Sequence, residues 1–244
     1  RRGLLIGGPP CQGFSSLNSA RREFRDKRSH MIDAFAELLP TLKGMMPLIQ
    51  WMTVMENVSS MSDSARDIIT EILSHKGAPF VPYKIDAGSV GHIHRPRFYW
   101  VSQSLDMVGM NCQWRNGHVE VTRDGKFQLN ASQFLDSGCK KISDKPLPTA
   151  VQHTPRSQPM QDPAGIEDCE EDAIARWEAD SFAMPPYQYK RSLCIQDGTT
   201  IRPPNIREKE KLHGYPADYT AISLEDGSET VSYTHLRAHE TGSY

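Results

Sequence analysis

The sequence predicts an α/β protein: an open parallel sheet with helices between its strands, followed by a smaller irregular lobe. Three observations predict it. Short apolar runs, Leu4-Leu5-Ile6 and residues 49–58, alternate with stretches whose apolar residues recur at helical spacing. The cluster Gly7-Gly8-Pro9-Pro10 stops the first run and sets a stiff turn. From about residue 105 to residue 200 the rhythm is lost, and Pro146, Pro148, Pro155, Pro159, Pro163, Pro185 and Pro186 interrupt a polar stretch.

Each element has its own signal. Leu4-Leu5-Ile6 reads as a buried strand, and Cys11 follows at its carboxyl end, where open α/β sheets bind ligands. Met31, Ile32, Phe35, Leu38, Leu39 and Leu42 lie at helical spacing before Gly44, so all six are expected in the core face of a helix. Residues 49–58 form the next strand. Ala65, Ile68, Ile69, Ile72 and Leu73 mark a second helix, capped by Ser62 or Asp63. Further strands are expected at 83–86 and, with aromatic and β-branched residues, at 97–102. In the irregular lobe residues 166–179 form an acidic helix candidate, and Asn205 with Glu208 three residues on makes a capping box for a helix stopped at Gly214-Tyr215-Pro216.

The chain has 244 residues, 38% hydrophobic and 24% charged, the composition of an ordinary globular protein. Its net charge of −2 exerts no global pull on nucleic acid, so any such contact needs a local positive cluster. Arg21, Arg22, Arg25, Lys27 and Arg28 supply one just after Cys11, against only Glu23 and Asp26. The five cysteines are odd in number and lack a C-x-x-C pair, which argues for a reducing intracellular compartment and against zinc. No run of 18 apolar residues argues for a membrane span.

Three strand ends carry chemistry: Pro10-Cys11-Gln12, then Glu56-Asn57-Val58, then Arg95-x-Arg97. In that order they resemble the DNA (cytosine-5) methyltransferases, and Asn205 onward, through Arg207-Glu208, Leu212 and Gly214-Tyr215-Pro216, resembles that family's late helix. The resemblance spans about residues 3 to 222. Residues 56–60, Ile85-Asp86-Ala87 and the stretch His94 to Trp100 are most similar to the eukaryotic de novo branch. Gln12-Gly13-Phe14-Ser15 is more similar to the bacterial and maintenance branches.

The resemblance implies the C-terminal part of a Rossmann-like S-adenosylmethionine-dependent methyltransferase sheet with a small target-recognition lobe. It divides the chain into a catalytic core at 1–104, a recognition region at 105–200, a return to the core at 201–222 and an unassigned, foreign-looking tail at 223–244. It also implies double-stranded DNA with a flipped cytosine as substrate, other methyltransferase subunits as candidate partners and, in a eukaryote, the nucleus. In these roles Cys11 is the nucleophile, Glu56 the acid at ring nitrogen 3, Asn57 its support, and Arg97 with Arg95 the cations at the base's carbonyl. Arg95 and Arg97 fall on one face of a strand if the strand includes both. Gln12, Ser15, Ser16, Asn18, Arg21, Arg22 and Arg25 are the expected nucleic-acid contacts. Pro10 and Met31 are the only counterparts of cofactor-contacting residues, and the family's Phe-x-Gly-x-Gly segment is not in this sequence, so the isolated chain is expected to be inactive.

A thiol of pKa about 8.5 needs a nearby cation or helix N-terminus to react at neutral pH, and the first helix lies too far along the chain to help. Glu56 is expected to be buried enough to hold a proton. His92 and His94 alternate like a metal pair, but no third ligand is evident, so no metal is expected. A tRNA-methylating enzyme is the nearest alternative, disfavoured because its Cys-Phe-Thr tripeptide is not found. A non-catalytic DNA-binding or regulatory fragment is the other.

Overall fold

The computed structural model describes residues 1–15, 22–75, 79–105, 107, 109–123, 130–149, 166–219, 221–223 and 229–231. In chain order the elements are β1 (Arg2–Gly7), α1 (Met31–Met45), β2 (Gln50–Val58), α2 (Asp63–His75), β3 (Val81–Asp86), β4 (Ile93–His94), β5 (Pro96–Val101), β6 (Met110–Arg115) and β7 (His118–Arg123). They continue with β8 (Lys140–Lys141), β9 (Leu147–Pro148), α3 (Glu171–Ala179), β10 (Ile195–Asp197), β11 (Thr200–Arg202), α4 (Ile206–Leu212), β12 (Ala221–Ser223) and β13 (Glu229–Val231). The described residues within Arg1–Ser89 and Pro96–Phe127 form one compact unit, and those within Val90–Arg95 and Gln128–His239 a second. The sequence boundaries differ: the division expected at 105 falls later, because β6 and β7 join the first sheet, and 201–222 falls in the second unit.

The first unit is built on a six-stranded sheet in the order β1, β2, β5, β3, β7, β6. β1 pairs parallel to β2 and β3 parallel to β7, while β5 runs antiparallel between β2 and β3. Four strands therefore share one direction, and β5 and β6 are reversed. The α/β class holds, with β1, β2, β3 and β7 sharing one direction, but the arginine strand enters the sheet head-down. The connection from β3 to its neighbour β5, residues 87–95, is shorter than the dozen or more residues a parallel crossover requires.

Both helices of this unit lie against one sheet face. Ile32, Phe35, Ala36 and Leu39 of α1 and Ala65, Ile69 and Leu73 of α2 pack with Met55, Phe98 and Trp100. Gly7 makes that approach possible, since a Cβ there would lie inside the contact envelope of the Phe35 ring. Two members of the expected α1 stripe are outside this core: Met31 is 53% and Leu38 46% exposed. The helix carries more apolar residues than one contact stripe can bury, so its flanks face out. Ser62 is the cap of α2, its hydroxyl accepting from the Ala65 amide at 3.1 Å.

In the second unit α4 has the capping box expected from its sequence, with Asn205 accepting from the Glu208 amide at 2.9 Å and Glu208 accepting from the Asn205 amide at 2.8 Å. Glu208 is buried, paired with Arg202 at 2.8 Å. Gly214 follows with φ of +85°, the left-handed stop that favours glycine. The acidic helix is shorter than expected, α3 spanning Glu171–Ala179 rather than 166–179. No helix among the described residues is long and apolar enough to cross a membrane.

Candidate active site

β1 delivers the thiol. After Gly7 the chain leaves the sheet through Gly8, Pro9 and Pro10, and Cys11 opens a tight turn in which its carbonyl accepts from the Phe14 and Ser15 amides, both at 2.9 Å. Phe14 is fully buried, edge-on to Phe24 with ring centroids 5.2 Å apart, and anchors the turn in the core. Cys11 is half-buried against the same cluster.

β2 delivers the carboxylate beside that turn. The register pairs Gly7 with Met55, so Glu56 emerges where β1 ends. A Cβ on Gly8 would lie 3.1 Å from Glu56 Oε2, and glycine there lets the turn pass against the carboxylate. Asn57 is buried on the opposite face; its amide donates to the Pro9 carbonyl at 3.2 Å and its Oδ1 accepts from the Val58 amide at 2.9 Å. The asparagine therefore ties the thiol turn to the strand bearing the acid.

β5 delivers the guanidinium. In its antiparallel register Glu56 faces Tyr99 and Val58 faces Arg97, which puts Arg97 diagonal to Glu56 on one face. The result is an ion pair, Arg97 Nε to Glu56 Oε1 at 3.0 Å, with side chains 14% and 31% exposed. Arg97 also donates to the Pro96 carbonyl at 2.9 Å, as does the Ser59 hydroxyl at 3.0 Å. Glu56 is thus less buried than expected.

Arg95 lies outside β5. β5 begins at Pro96, so the alternation expected to align Arg95 with Arg97 does not reach Arg95, which lies between two strands and in the second compact unit. Strand alternation therefore does not align Arg95 with Arg97.

The cation question also resolves differently. A Cβ at Gly13 would lie 2.6 Å from Ser29 Oγ and 3.0 Å from the Asp26 Cβ, so the segment leading into α1 folds back onto the thiol turn. Arg28 on that segment is held above its usual range chiefly by its hydrogen bond to Asp26, and a thiolate at Cys11 adds to the shift. Asp26 in turn is lowered to about 2 by the side-chain hydrogen bond from Arg28. Distance along the chain misled here, because tertiary folding closes it.

The remaining residues are placed as follows. Gln12 and Ser15 are half-buried in the turn, while Arg22 and Arg25 are exposed beyond it. Ser16, Asn18 and Arg21 lie outside the described residues. His92 is buried against Phe134, ring centroids 4.9 Å apart, and its proton affinity is lowered by burial and then by Lys141. Pro10 is half-buried at the thiol turn and Met31 opens α1. These two apolar side chains offer S-adenosylmethionine packing but no partner for its ribose hydroxyls or amino-acid charges. They do not fit the cofactor on their own. Phe14, Glu23 and Ser29 were missed as parts of the site; only Phe14, an aromatic next to a glycine turn, carried a local signal.

Residues 2–81 match the family model of the C-5 cytosine-specific DNA methylases. That segment is similar to the C-5 cytosine-specific DNA methylase family. Its bounds include Cys11, Glu56 and Asn57, so the matched segment holds the thiol turn and the acid, while Arg97 stands on a strand beyond it. No curated protein matches the sequence. Among solved structures the chain is similar to the Entamoeba histolytica methyltransferase EhMeth, at 13% identity and a TM-score of 0.38, covering 89% of this chain and 66% of that one.

Proposed function

We propose that the first compact unit performs the base-activation half of cytosine-5 methylation on DNA. The observation that supports the reading is the position of Glu56, which touches Arg97 on one side and borders Gly8 of the Cys11 turn on the other. Carbon 5 of cytosine is a weak nucleophile. Addition of the Cys11 thiolate to carbon 6 forms a carbon–sulfur bond and pushes the ring electrons toward nitrogen 3 and the carbonyl oxygen. Arg97 then exchanges its contact with Glu56 for the carbonyl oxygen, where negative charge grows. Glu56, released from its ion pair, carries a solvent proton to nitrogen 3.

The resulting carbon 5 is electron-rich. S-adenosylmethionine, the cofactor this family implies, would supply a methyl group there only where residues beyond Pro10 and Met31 hold it. Without methyl transfer, carbon 5 takes up a solvent proton, loses its original one, and the Cys11 thiolate then leaves carbon 6. The base must leave the duplex stack to reach Cys11 and Glu56, at a cost of a few kcal/mol. Arg22, Arg25 and Arg28, beyond the thiol turn, supply the positive charge for the phosphates next to a flipped base.

Addition and reversal at carbon 6 exchange the carbon-5 hydrogen with water and need no cofactor. The test is therefore tritium release from DNA carrying carbon-5-tritiated cytosine, measured with this chain and without S-adenosylmethionine. Release by the wild-type chain that falls to background in Cys11→Ser is expected. Equal release from the two chains would remove Cys11 as the nucleophile.

A further inference from the structure

Glu23 is the least expected residue of the first unit. It is not glycine, yet its φ is +49°, in the left-handed region that most side chains disfavour. Such a conformation persists where surrounding contacts over-determine it. Here they come from both sides of the candidate site.

Toward the thiol, the Glu23 amide donates to the Gly13 carbonyl at 2.8 Å, two residues after Cys11. The Glu23 carbonyl accepts from the Asp26 amide at 3.0 Å and from the Ser29 hydroxyl at 2.7 Å, the same hydroxyl that a Cβ on Gly13 would strike. Toward the acid, the Glu23 carboxylate accepts from the Ser62 amide at 3.2 Å and the Ser62 hydroxyl at 3.0 Å. Ser62 in turn caps α2, at the end of the short connection from β2, the strand of Glu56. One residue thus spans from the Cys11 turn to the exit of the Glu56 strand, its backbone amide on the Gly13 carbonyl and its carboxylate on Ser62. The carboxylate also sits at the first turn of α2, where the helix dipole favours negative charge.

We infer that Glu23 is a positioning residue that fixes the Cys11 turn relative to the Glu56–Arg97 pair. This rests on the base-activation reading above for its purpose, though the geometric claim is testable without it. Asn57 holds the near end of the turn through Pro9, and Glu23 holds the far end through Gly13. With both ends fixed, the thiol has one position. With only Pro9 and Phe14 held, the Gly13 end of the turn can shift relative to the acid.

The left-handed backbone makes a clean test possible, because Glu23→Gly keeps or improves the backbone conformation while deleting the carboxylate. In the full chain, alkylation of Cys11 by iodoacetamide is followed by peptide-resolved mass spectrometry, with exposed Cys112 as the internal reference. Glu23→Gly is expected to raise the Cys11 rate about threefold or more, as a freed turn opens more often, with Cys112 unchanged. Glu23→Gln, which still accepts from the Ser62 amide, is expected to restore the wild-type rate. In the cofactor-free exchange assay Glu23→Gly should lower tritium release about tenfold while Glu23→Gln retains it.

An unchanged or lower Cys11 rate in Glu23→Gly overturns the positioning role, as does a Glu23→Gln variant that behaves like Glu23→Gly. If the alkylation pattern holds but Cys11→Ser exchanges tritium as fast as wild type, it is the base-activation reading that fails. The two failures are thereby separated.

Discussion

Arg97 is the residue whose chemistry depends most on its shape. It contacts Glu56 through Nε and the Pro96 carbonyl through another guanidinium nitrogen. A planar fork can hold the backbone carbonyl while a second edge turns from carboxylate to substrate oxygen. A lysine ammonium is a single point charge and cannot hold both. Arg97→Lys is therefore expected to lower cofactor-free tritium exchange about a hundredfold. The melting temperature should change little, since the pair is partly exposed and such pairs contribute little to stability. A variant that exchanges like wild type would show that the charge alone suffices.

At the scale of elements, two contacts decide how the pieces sit. Gly7 lets the Phe35 ring of α1 lie directly on β1, so Gly7→Ala forces a methyl group into an occupied space. Overpacking of this kind costs about 1–3 kcal/mol, seen as a lower midpoint of denaturant unfolding for peptides of the first unit. In the second unit Asn205 closes the capping box of α4 and donates to Asp136 at 2.7 Å. Asn205→Ala should cost about 1 kcal/mol, read in the same measurement on second-unit peptides.

Those elements also show where sequence is legible. The capping box of α4, the Ser62 cap of α2 and the core stripe Ile32, Phe35 and Leu39 are set by residues three or four apart, so a local reading finds them. The exposure of Met31 and Leu38 was not legible, because a helix face is buried only to the width of its tertiary contact. The reversal of β5 escaped notice for a similar reason: alternation marks a strand but not its direction.

Across the whole molecule, pH separates the two units. Lys209 is fully buried in the second unit, donating to Gln188 at 3.2 Å and to the Met184 sulfur at 3.0 Å, and burial lowers its pKa to about 8. Between pH about 8 and the usual 10.5 the unfolded chain binds the proton and the folded chain does not, so stability of this unit rises with pH in that window. Lys209→Met should abolish the rise.

In the first unit His118 is buried beside Arg66, and burial is the main cause of its lowered pKa. Below the usual 6.5 the unfolded chain takes up the proton first, and stability falls as pH drops. Asp26 adds a second loss between 3.8 and about 2, because its carboxylate is paired with Arg28 only when folded. Hydrogen exchange of peptides from each unit across pH reads these limbs separately. A first unit that also stabilises between pH about 8 and 10.5 would contradict the assignment of the alkaline limb to Lys209.

The sequence by itself determined the α/β class, the order of thiol, acid and guanidinium along the chain, and the placement of Cys11 at a strand's end, since each rests on neighbours within a few residues. Only the tertiary structure decided which arginine meets Glu56, that Arg28 returns to the thiol turn, and that Glu23 spans from that turn to Ser62. These are pairings between positions tens of residues apart. Strand direction and the route of the chain between elements set them, and no local pattern records either.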